Sequence, residues 1–152
     1  VVDSNGSKTK DGIEIETIFD VPSWRVLHKK YWTPEDQGIG KEFEQVCVNY
    51  GFHKDDAGKI MGLSAYGKQE AYYVQQAWER RALELCTMYK DRNLVLSGGC
   101  FLNCVVNYKL QRELDVSLRV MPIAHDGGTS IGAAYLATVN SKIYEGSNSI
   151  QS

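Results

Sequence analysis

The feature that most constrains the fold is a short apolar run that ends in a double glycine. Residues 93–96 read NLVL, SGG follows at 97–99, and the chain continues at once into CFLN. A short apolar run between turn-forming residues is typical of a parallel strand that is buried on both faces. Two glycines then permit a tight turn into a helix. The sequence therefore predicts a strand, turn and helix unit of an α/β sheet at this point.

The first third of the chain has the alternating pattern of half-buried strands. Apolar residues alternate with glutamates over residues 13–19, and a weaker alternation runs over residues 21–33 as far as Trp32. Residues 1–3 form a further short apolar start before a turn. Period-two alternation between turn-forming residues predicts strands, so we expect these three segments to form an antiparallel meander.

From residue 37 onward the apolar spacing changes to that of helices. Phe43, Val46, Cys47 and Tyr50 follow the i, i+3, i+4, i+7 pattern of an amphipathic helix. The elements predicted downstream are a helix over 69–91, the strand at 93–96, a helix over 101–113, a strand over 117–121 and a helix over 129–139. This order predicts an α/β fold, a ribonuclease H-like lobe of an actin-like ATPase fold, with a mixed five-stranded sheet and helices on both faces.

Length and composition fit one globular domain. The chain has 152 residues, of which 43% are apolar and 24% are charged, and a chain of this size buries roughly 70% of its unfolded surface. We expect a single lobe over residues 1–144, followed by a polar, flexible tail over residues 145–152. Because the chain begins at Val1, with no Met and inside a predicted strand, we expect it to be a piece of a longer protein.

Charge and hydropathy argue against two classes of partner. The formal net charge is −2 and no run of five like charges occurs, which argues against nucleic acid and anionic membranes. The sequence contains neither an apolar stretch of 18 residues nor a signal peptide, so a cytoplasmic location is expected. No paired CxxC spacing occurs, and the four cysteines are predicted to be small, reduced, buried apolar residues: Cys47, Cys86, Cys100 and Cys104.

Two glycine turns are the strongest candidates for ligand binding. At the first, the backbone around residues 97–99 can approach a ligand closely and offer amide donors at a helix start; the alternative is a tight turn that binds nothing. At the second, Asp126 can ligate a divalent metal, while Gly127, Gly128 and Thr129 can donate to phosphate oxygens. The alternative for Asp126 is a turn-forming or helix-capping role.

Two further segments carry weaker signals. Asp3 lies in the turn DSNGS and can face a metal or a metal-bound water, although an ordinary hairpin turn explains the same residues. Lys59 lies in AGKIMGLSAYG and can reach a phosphate or carboxylate as a point charge, or it can be a solvated lysine on a short helix. The histidines have no HxxxH or HExxH spacing, and for His125 a packing or capping role is favoured.

Taken in order, these segments resemble the O-carbamoyltransferases of the nodulation and antibiotic-tailoring type. The resemblance rests on VVDSNG, GKIMGLSAYG, NLVLSGGCFLNCVVN and DGGTSIGAA, and it runs from Val1 to about Leu136. It covers the second lobe of the actin-like domain. More distantly, the double-glycine turn is similar to the adenosine motif of the actin, hexokinase and chaperone ATPase superfamily.

The resemblance implies a specific chemistry. Members transfer a carbamoyl group from carbamoyl phosphate to the hydroxyl of a small molecule, using ATP and passing through carbamoyl adenylate. The transfer takes place in an actin-like domain that carries a divalent metal, iron or magnesium. Carried over to this chain, the implied roles are the metal for Asp3 and Asp126, the adenosine for Gly98, Gly99 and Asn103, the phosphate for Gly127, Gly128 and Thr129, and a weaker ligand contact for Lys59.

The chain also departs from the family pattern. The family's first lobe, with its paired metal-binding histidines, and its adenylate-forming domain are absent from this sequence, so both are expected as partners. Two carboxylates leave the metal shell incomplete, and we expect the chain alone to bind nucleotide weakly and catalyse little. The alternative function is a non-catalytic adenine-nucleotide-binding or assembly module, with Trp24, Tyr31 and Trp32 at an interface. A sugar kinase or acetate kinase lobe is a third candidate, which fits residues 59–67 less well.

Overall fold

The computed structural model describes residues 1–4, 6–21 and 23–148, and the side chains as far as residue 138. Within these ranges the fold is a mixed α/β arrangement of five α-helices and two small sheets. The strands are β1 (Lys8–Thr9), β2 (Gly12–Asp20), β3 (Arg25–Tyr31), β4 (Leu94–Leu96) and β5 (Leu118–Val120). The helices are α1 (Ile39–Asn49), α2 (Ala57–Ser64), α3 (Gln69–Thr87), α4 (Cys104–Glu113) and α5 (Gly127–Asn148), with a single 3₁₀ turn at Gly99–Leu102.

The N-terminal sheet is antiparallel, with strand order β1-β2-β3. The register pairs Glu14 with Tyr31 and Asp20 with Arg25 at the two ends of β2 and β3. The predicted second and third strands are therefore confirmed. The predicted first strand is wrong, because residues 1–3 contribute only an isolated antiparallel bridge between Val2 and Glu16.

The second sheet consists of two parallel strands, β4 and β5. Leu96 is buried and Leu94 packs against the core, as expected for a core strand. Val95 points the other way and is 52% exposed. The prediction of burial on both faces is wrong for this residue, because nothing in the described part of the chain covers the outer face of β4 at this point.

A single five-stranded sheet does not form, which corrects the prediction from the sequence. Residues 1–3 lie between the two sheets: Asp3 N donates to Ile15 O (3.1 Å) in β2, and Val2 N donates to the O atom of Ser97 (3.0 Å), the residue that follows β4. The chain turns at Gly98, with φ +98°, directly after Ser97. On this side residues 1–3 make two backbone hydrogen bonds, one to Ser97 O and one from Cys100 N, and because both flank this turn, no strand ladder forms with β4.

The core lies among α1, α2, α3, α4 and the inner faces of the strands. Trp78 on α3 is buried against Phe101, with ring centroids 5.1 Å apart, and its Nε1 donates to the carbonyl oxygen of Cys100 (3.0 Å). The long helix is thereby fastened to the turn that follows β4. Other fully buried core residues include Cys47, Ile60, Ala71, Ala82, Val106 and Leu110.

Helix boundaries agree with the prediction in part. The helices predicted around Phe43, over residues 69–91 and over residues 101–113 are present, although α3 ends at Thr87 and Asn103 interrupts the third. Helix α2 agrees with the alternative given for Lys59, an exposed lysine on a short helix, and α5 runs on to Asn148 instead of ending at 139. Of the predicted flexible tail, residues 149–152 lie outside the described residues, so the tail stays a prediction.

The helices were compared with the length and hydrophobicity of membrane-spanning helices. Within the described ranges, none of them combines the length and the apolar character needed to cross a membrane. The cytoplasmic location expected from the sequence stays a prediction.

Candidate functional site

A cavity of about 530 Å³ joins the parts of the chain that carry the sequence motifs. This volume lies within the range of about 300–1,000 Å³ that is usual for small-molecule sites. One wall, which we call the turn wall, consists of loop and turn residues: Asp3, Ser4, Gly99, Asn103, His125 and Asp126. A second wall, the helical wall, comes from α1, α2 and the loop between them, and includes Phe43, Glu44, Lys54, Asp55, Gly58 and Met61.

Two carboxylates face the cavity from the turn wall. The Oδ1 atom of Asp3 accepts a hydrogen bond from the backbone N–H of Ser4 (2.7 Å). Burial raises the pKa of Asp3, the N–H of Ser4 works against this, and the negative charge of Asp126 raises the pKa further. A bound cation would relieve this cost, because it would neutralise the two neighbouring acids together.

Oxygen ligands of this kind fit one side of a divalent cation site, since hard cations prefer carboxylate oxygens. The two acids do not complete a coordination shell. Among the described residues, no group of three or more His, Cys, Asp or Glu side chains has the geometry to hold a metal. Asp3 and Asp126 therefore suit a partial ligand set only.

The double-glycine turn has two differently placed glycines. Gly98 has φ +98°, and a Cβ there would overlap the backbone of Val2. Its N–H is also engaged, donating to Ala124 O (2.8 Å). Gly98 is thus needed to let residues 1–3 pack against the turn. Gly99 instead faces the cavity, where a Cβ would lie 3.3 Å from Asp3 Oδ1.

Asn103 lines the cavity, but its side chain is already held by the protein. Its Oδ1 accepts from Val106 N (3.1 Å) and so caps α4, while its Nδ2 donates to Gln75 Oε1 (2.8 Å). Gln75 is buried and donates in turn to Glu79 Oε1 (3.1 Å). These bonds fix the orientation of the Asn103 amide at the cavity wall.

The second glycine turn is satisfied within itself. Gly127 N donates to His125 Nδ1 (3.0 Å), Gly128 N donates to His125 O (2.9 Å), and Thr129 N donates to Asp126 O (3.0 Å). The hydroxyl of Thr129 also donates to Asp126 O (2.6 Å). His125 and Asp126 line the cavity, whereas Gly127, Gly128 and Thr129 do not. The predicted phosphate donors are therefore engaged locally in this structure.

Lys59 also lies away from the cavity. Its Nζ pairs with Asp56 Oδ2 (2.8 Å) and lies 5.0 Å from the centroid of the Phe52 ring. Lys54, in the loop before α2, lines the cavity instead. The sequence contained no signal for this difference, because both lysines lie in the same polar, glycine-containing stretch.

Glu44 is a second cavity residue that the sequence patterns did not single out. Burial acts to raise its pKa, but the hydrogen bonds from Lys41 and Ser4, together with the charges of Lys41 and Lys54, leave the pKa below its ordinary value. Lys41 Nζ lies 2.6 Å from Glu44 Oε2. Glu44 therefore carries a negative charge at the cavity.

The cysteines do not supply a reactive thiolate. Burial raises the pKa of Cys100, which lines the cavity, to about 12, and that of Cys86 to about 11. Both thiols are protonated at neutral pH, and only the thiolate is a good nucleophile. Burial is confirmed for Cys47 and Cys86, but Cys104 is exposed, with its Sγ 3.9 Å from Met61 Sδ, because this face of α4 is turned away from the core.

Comparison with known proteins adds a family signal over part of the chain. Residues 79–135 match the family model described as "Carbamoyltransferase N-terminus". The match confirms the resemblance at this level for just over a third of the chain, and it includes Gly99, Asn103 and Asp126. No curated protein and no solved structure matched significantly.

Proposed function

We propose that this chain forms part of an ATP-dependent O-carbamoyltransferase, in which the cavity binds the nucleotide and phosphate portion of carbamoyl adenylate beside a divalent cation. One observation carries the proposal. Asp3, Gly99, Asn103 and Asp126, which are far apart in the sequence, line one cavity, and three of the four lie in the stretch that matches the carbamoyltransferase family model.

Each residue of the turn wall would have a separate role in binding. Asp3 and Asp126 would hold the cation, Gly99 would leave room for the ligand because it has no side chain, and the fixed amide of Asn103 would shape the wall beside it. When bound, a divalent cation stabilises negative charge on carbonyl and phosphate oxygens, and such stabilisation lowers a barrier by several kcal/mol. Gly127, Gly128 and Thr129 would contribute to phosphate binding only after their local hydrogen bonds open.

The placement of residues 1–3 supports the assignment to a ribonuclease H-like lobe. These residues join β2 and β4, so the spatial order is β3, β2, residues 1–3, β4 and β5. That order is a mixed layer of the kind expected for the lobe. We further propose that a lobe with paired histidines and an adenylate-forming domain act with it, because Asp3 and Asp126 alone leave the cation undercoordinated.

The proposal is tested by binding and by transfer. Calorimetry on the full chain with ATP and a divalent cation should detect weak binding, which Asp126→Asn should abolish. Asp115→Asn, an exposed acid outside the cavity, is the matched control and should bind like the wild type. Carbamoyl transfer from carbamoyl phosphate to an alcohol is expected only when the two further domains are supplied. Absence of both binding and transfer under these conditions would refute the proposal.

A second function is favoured by exposed apolar residues away from the cavity. Trp24 at the tip of the β2–β3 hairpin is 72% exposed, and Ile131, Tyr135 and Leu136 lie exposed on α5. Large apolar side chains exposed in this way would form an interaction surface if they were covered by a partner. On this alternative the chain is a non-catalytic adenine-nucleotide-binding or assembly module. It would bind ATP alone, and adding the further domains would produce no transfer.

A further inference from the structure

We propose that Lys54, and not Lys59, is the residue that contacts the phosphate groups of the ligand in the cavity. The inference rests on the proposed function and deepens it, because it assigns the anionic part of the ligand to the helical wall. It starts from the charges of the cavity lining, from the loop that carries Lys54, and from the different contacts of the two lysines.

The charged side chains of the cavity are mostly acidic. Asp3 and Asp126 lie on the turn wall, and Glu44 and Asp55 lie on the helical wall. Among the described residues that line the cavity, Lys54 is the one lysine or arginine. The acids would therefore repel a phosphate ligand, and the positive charges that could attract it are Lys54 and a cation held by the two turn-wall acids. Lys54 on the helical wall and a cation held on the turn wall would then be the two positive charges that an organic phosphate could contact.

The backbone around Lys54 is held in place, although the side chain is exposed. In the loop between α1 and α2, His53 N donates to Asp56 Oδ2 (3.1 Å) and Asp56 N donates to His53 O (3.0 Å). This reciprocal pair closes a tight turn on either side of Lys54 and Asp55. The turn holds the backbone of Lys54 in place at the cavity, while the long, flexible side chain remains able to reach a ligand.

The two lysines differ in what they already contact. Lys59 is held by Asp56 and lies over the Phe52 ring, outside the cavity. Lys54 makes no ion pair with the described residues, and its charge acts on Glu44 from a distance. Binding a phosphate at Lys54 would therefore break no existing ion pair, whereas binding at Lys59 would first require the bond to Asp56 to open.

The experiment measures dissociation constants by calorimetry on the full chain, with magnesium present. The ligands are ATP, carbamoyl phosphate, inorganic phosphate and uncharged adenosine, and the variants are Lys54→Gln, Lys54→Glu and Lys59→Gln as the matched control. Lys54→Gln should weaken ATP binding about tenfold, the effect of losing one charged contact of about 1.4 kcal/mol. Lys54→Glu should weaken it further, while Lys59→Gln should change it less than twofold.

The remaining ligands identify what Lys54 recognises. Adenosine should bind equally to the wild type and all three variants, because it has no phosphate. Loss of affinity for carbamoyl phosphate or inorganic phosphate along with ATP would support recognition of phosphate as such, and loss for ATP alone would assign Lys54 to the polyphosphate. Thermal unfolding of each variant should match the wild type, since Lys54 is exposed.

Two results would overturn the inference, and they are distinguishable. If wild-type protein binds ATP but Lys54→Gln and Lys59→Gln bind it equally well, the assignment of Lys54 is wrong and the proposed function stands. If the wild type binds neither ATP nor adenosine under any cation condition, the proposed function fails and the inference fails with it.

Discussion

The two glycine turns of this protein have similar sequences but different surroundings. The turn at residues 97–99 is packed against residues 1–3, so closely that a Cβ on Gly98 would overlap the backbone of Val2. At the turn of residues 126–128, a Cβ on Gly127 would lie 2.5 Å from a ring atom of His125, an exposed side chain. The comparison teaches that a glycine motif can serve packing at one place and loop closure at another: Gly99 of the first turn lines the cavity beside Asp3, whereas at the second turn Asp126 lines it and Gly127 and Gly128 do not.

The largest expected change in stability comes from replacing the glycines of the two turns, and it tests this comparison directly. Gly98→Ala should destabilise the protein by at least about 3 kcal/mol, because it combines a left-handed backbone angle with a backbone overlap that cannot relax. Gly127→Ala should cost about 1 kcal/mol or less, because the His125 ring can rotate away. Urea denaturation gives both values. Equal losses in the two variants would contradict the distinction.

A smaller loss of stability is expected for a change at Glu16, the β2 residue that bridges to Val2. Glu16 is 3% exposed, and Arg81 binds it through Nε (3.0 Å) and Nη2 (2.6 Å). Glu16→Gln should cost about 2 kcal/mol at pH 7, less than a fully buried pair because Arg81 is partly exposed. Glu84→Gln, which removes the exposed partner of Arg81, is the control and should cost below about 0.5 kcal/mol.

The Glu16 effect should depend on pH. Burial acts to raise the pKa of Glu16, but the hydrogen bond and charge of Arg81 outweigh it and lower the pKa. An acid with a lowered pKa contributes full stability above its unfolded value of about 4.3 and loses it as the pH falls through the folded value. The difference between wild type and Glu16→Gln should therefore shrink below about pH 4. A constant difference from pH 7 to pH 3 would contradict this explanation.

The next prediction asks whether the two turns share one cation. Magnesium at ten times its dissociation constant should stabilise the wild type by about 1.4 kcal/mol. Asp3→Asn, beside the first turn, and Asp126→Asn, at the second, should each abolish this stabilisation. Asp115→Asn should retain it. Thermal unfolding with and without magnesium provides the measurement, and retention in only one of the two cavity variants would place the cation at one turn alone.

The smallest expected change in stability concerns a glycine on the helical wall. Gly58 and Gly62 both lie in α2, and a Cβ on either would meet no atom within 4 Å. Alanine at either position should stabilise the helix by about 0.5 kcal/mol. Only Gly58 lines the cavity. Gly58→Ala should therefore weaken ATP binding severalfold while Gly62→Ala leaves it unchanged; equal binding would indicate that the ligand does not reach this wall.

Local patterns predicted most of the elements. The alternation over residues 13–19 and the apolar spacing around Phe43 correspond to β2 and α1, since each depends on which side chains face a single adjacent surface. Helix α2 was expected only as an alternative for Lys59, because its two glycines lower its helix propensity; packing against α3 compensates. The five-stranded sheet was wrong because the sequence of residues 97–99 does not reveal how soon the backbone turns away from residues 1–3.

The candidate site was predictable on one wall only. Asp3 follows a predicted strand, and Gly99, Asn103 and Asp126 come after β4 or β5. Because the ends of neighbouring strands meet at one edge of a sheet, their convergence could be expected. Glu44 lies on α1, and Lys54 lies in the loop between α1 and α2. The positions of both depend on how α1 and α2 pack. No periodic pattern encodes that position.

The sequence by itself determined the α/β class, the turn wall of the cavity and the match to a carbamoyltransferase domain, because these depend on local periodicity and on short motifs. The tertiary structure alone decided that Gly98 serves packing, that the donors of residues 127–129 bond within their own turn, and that Lys54 replaces Lys59 at the cavity. The physical reason is that hydrogen-bond satisfaction and side-chain proximity depend on distances across the fold, which adjacent residues in the sequence do not specify.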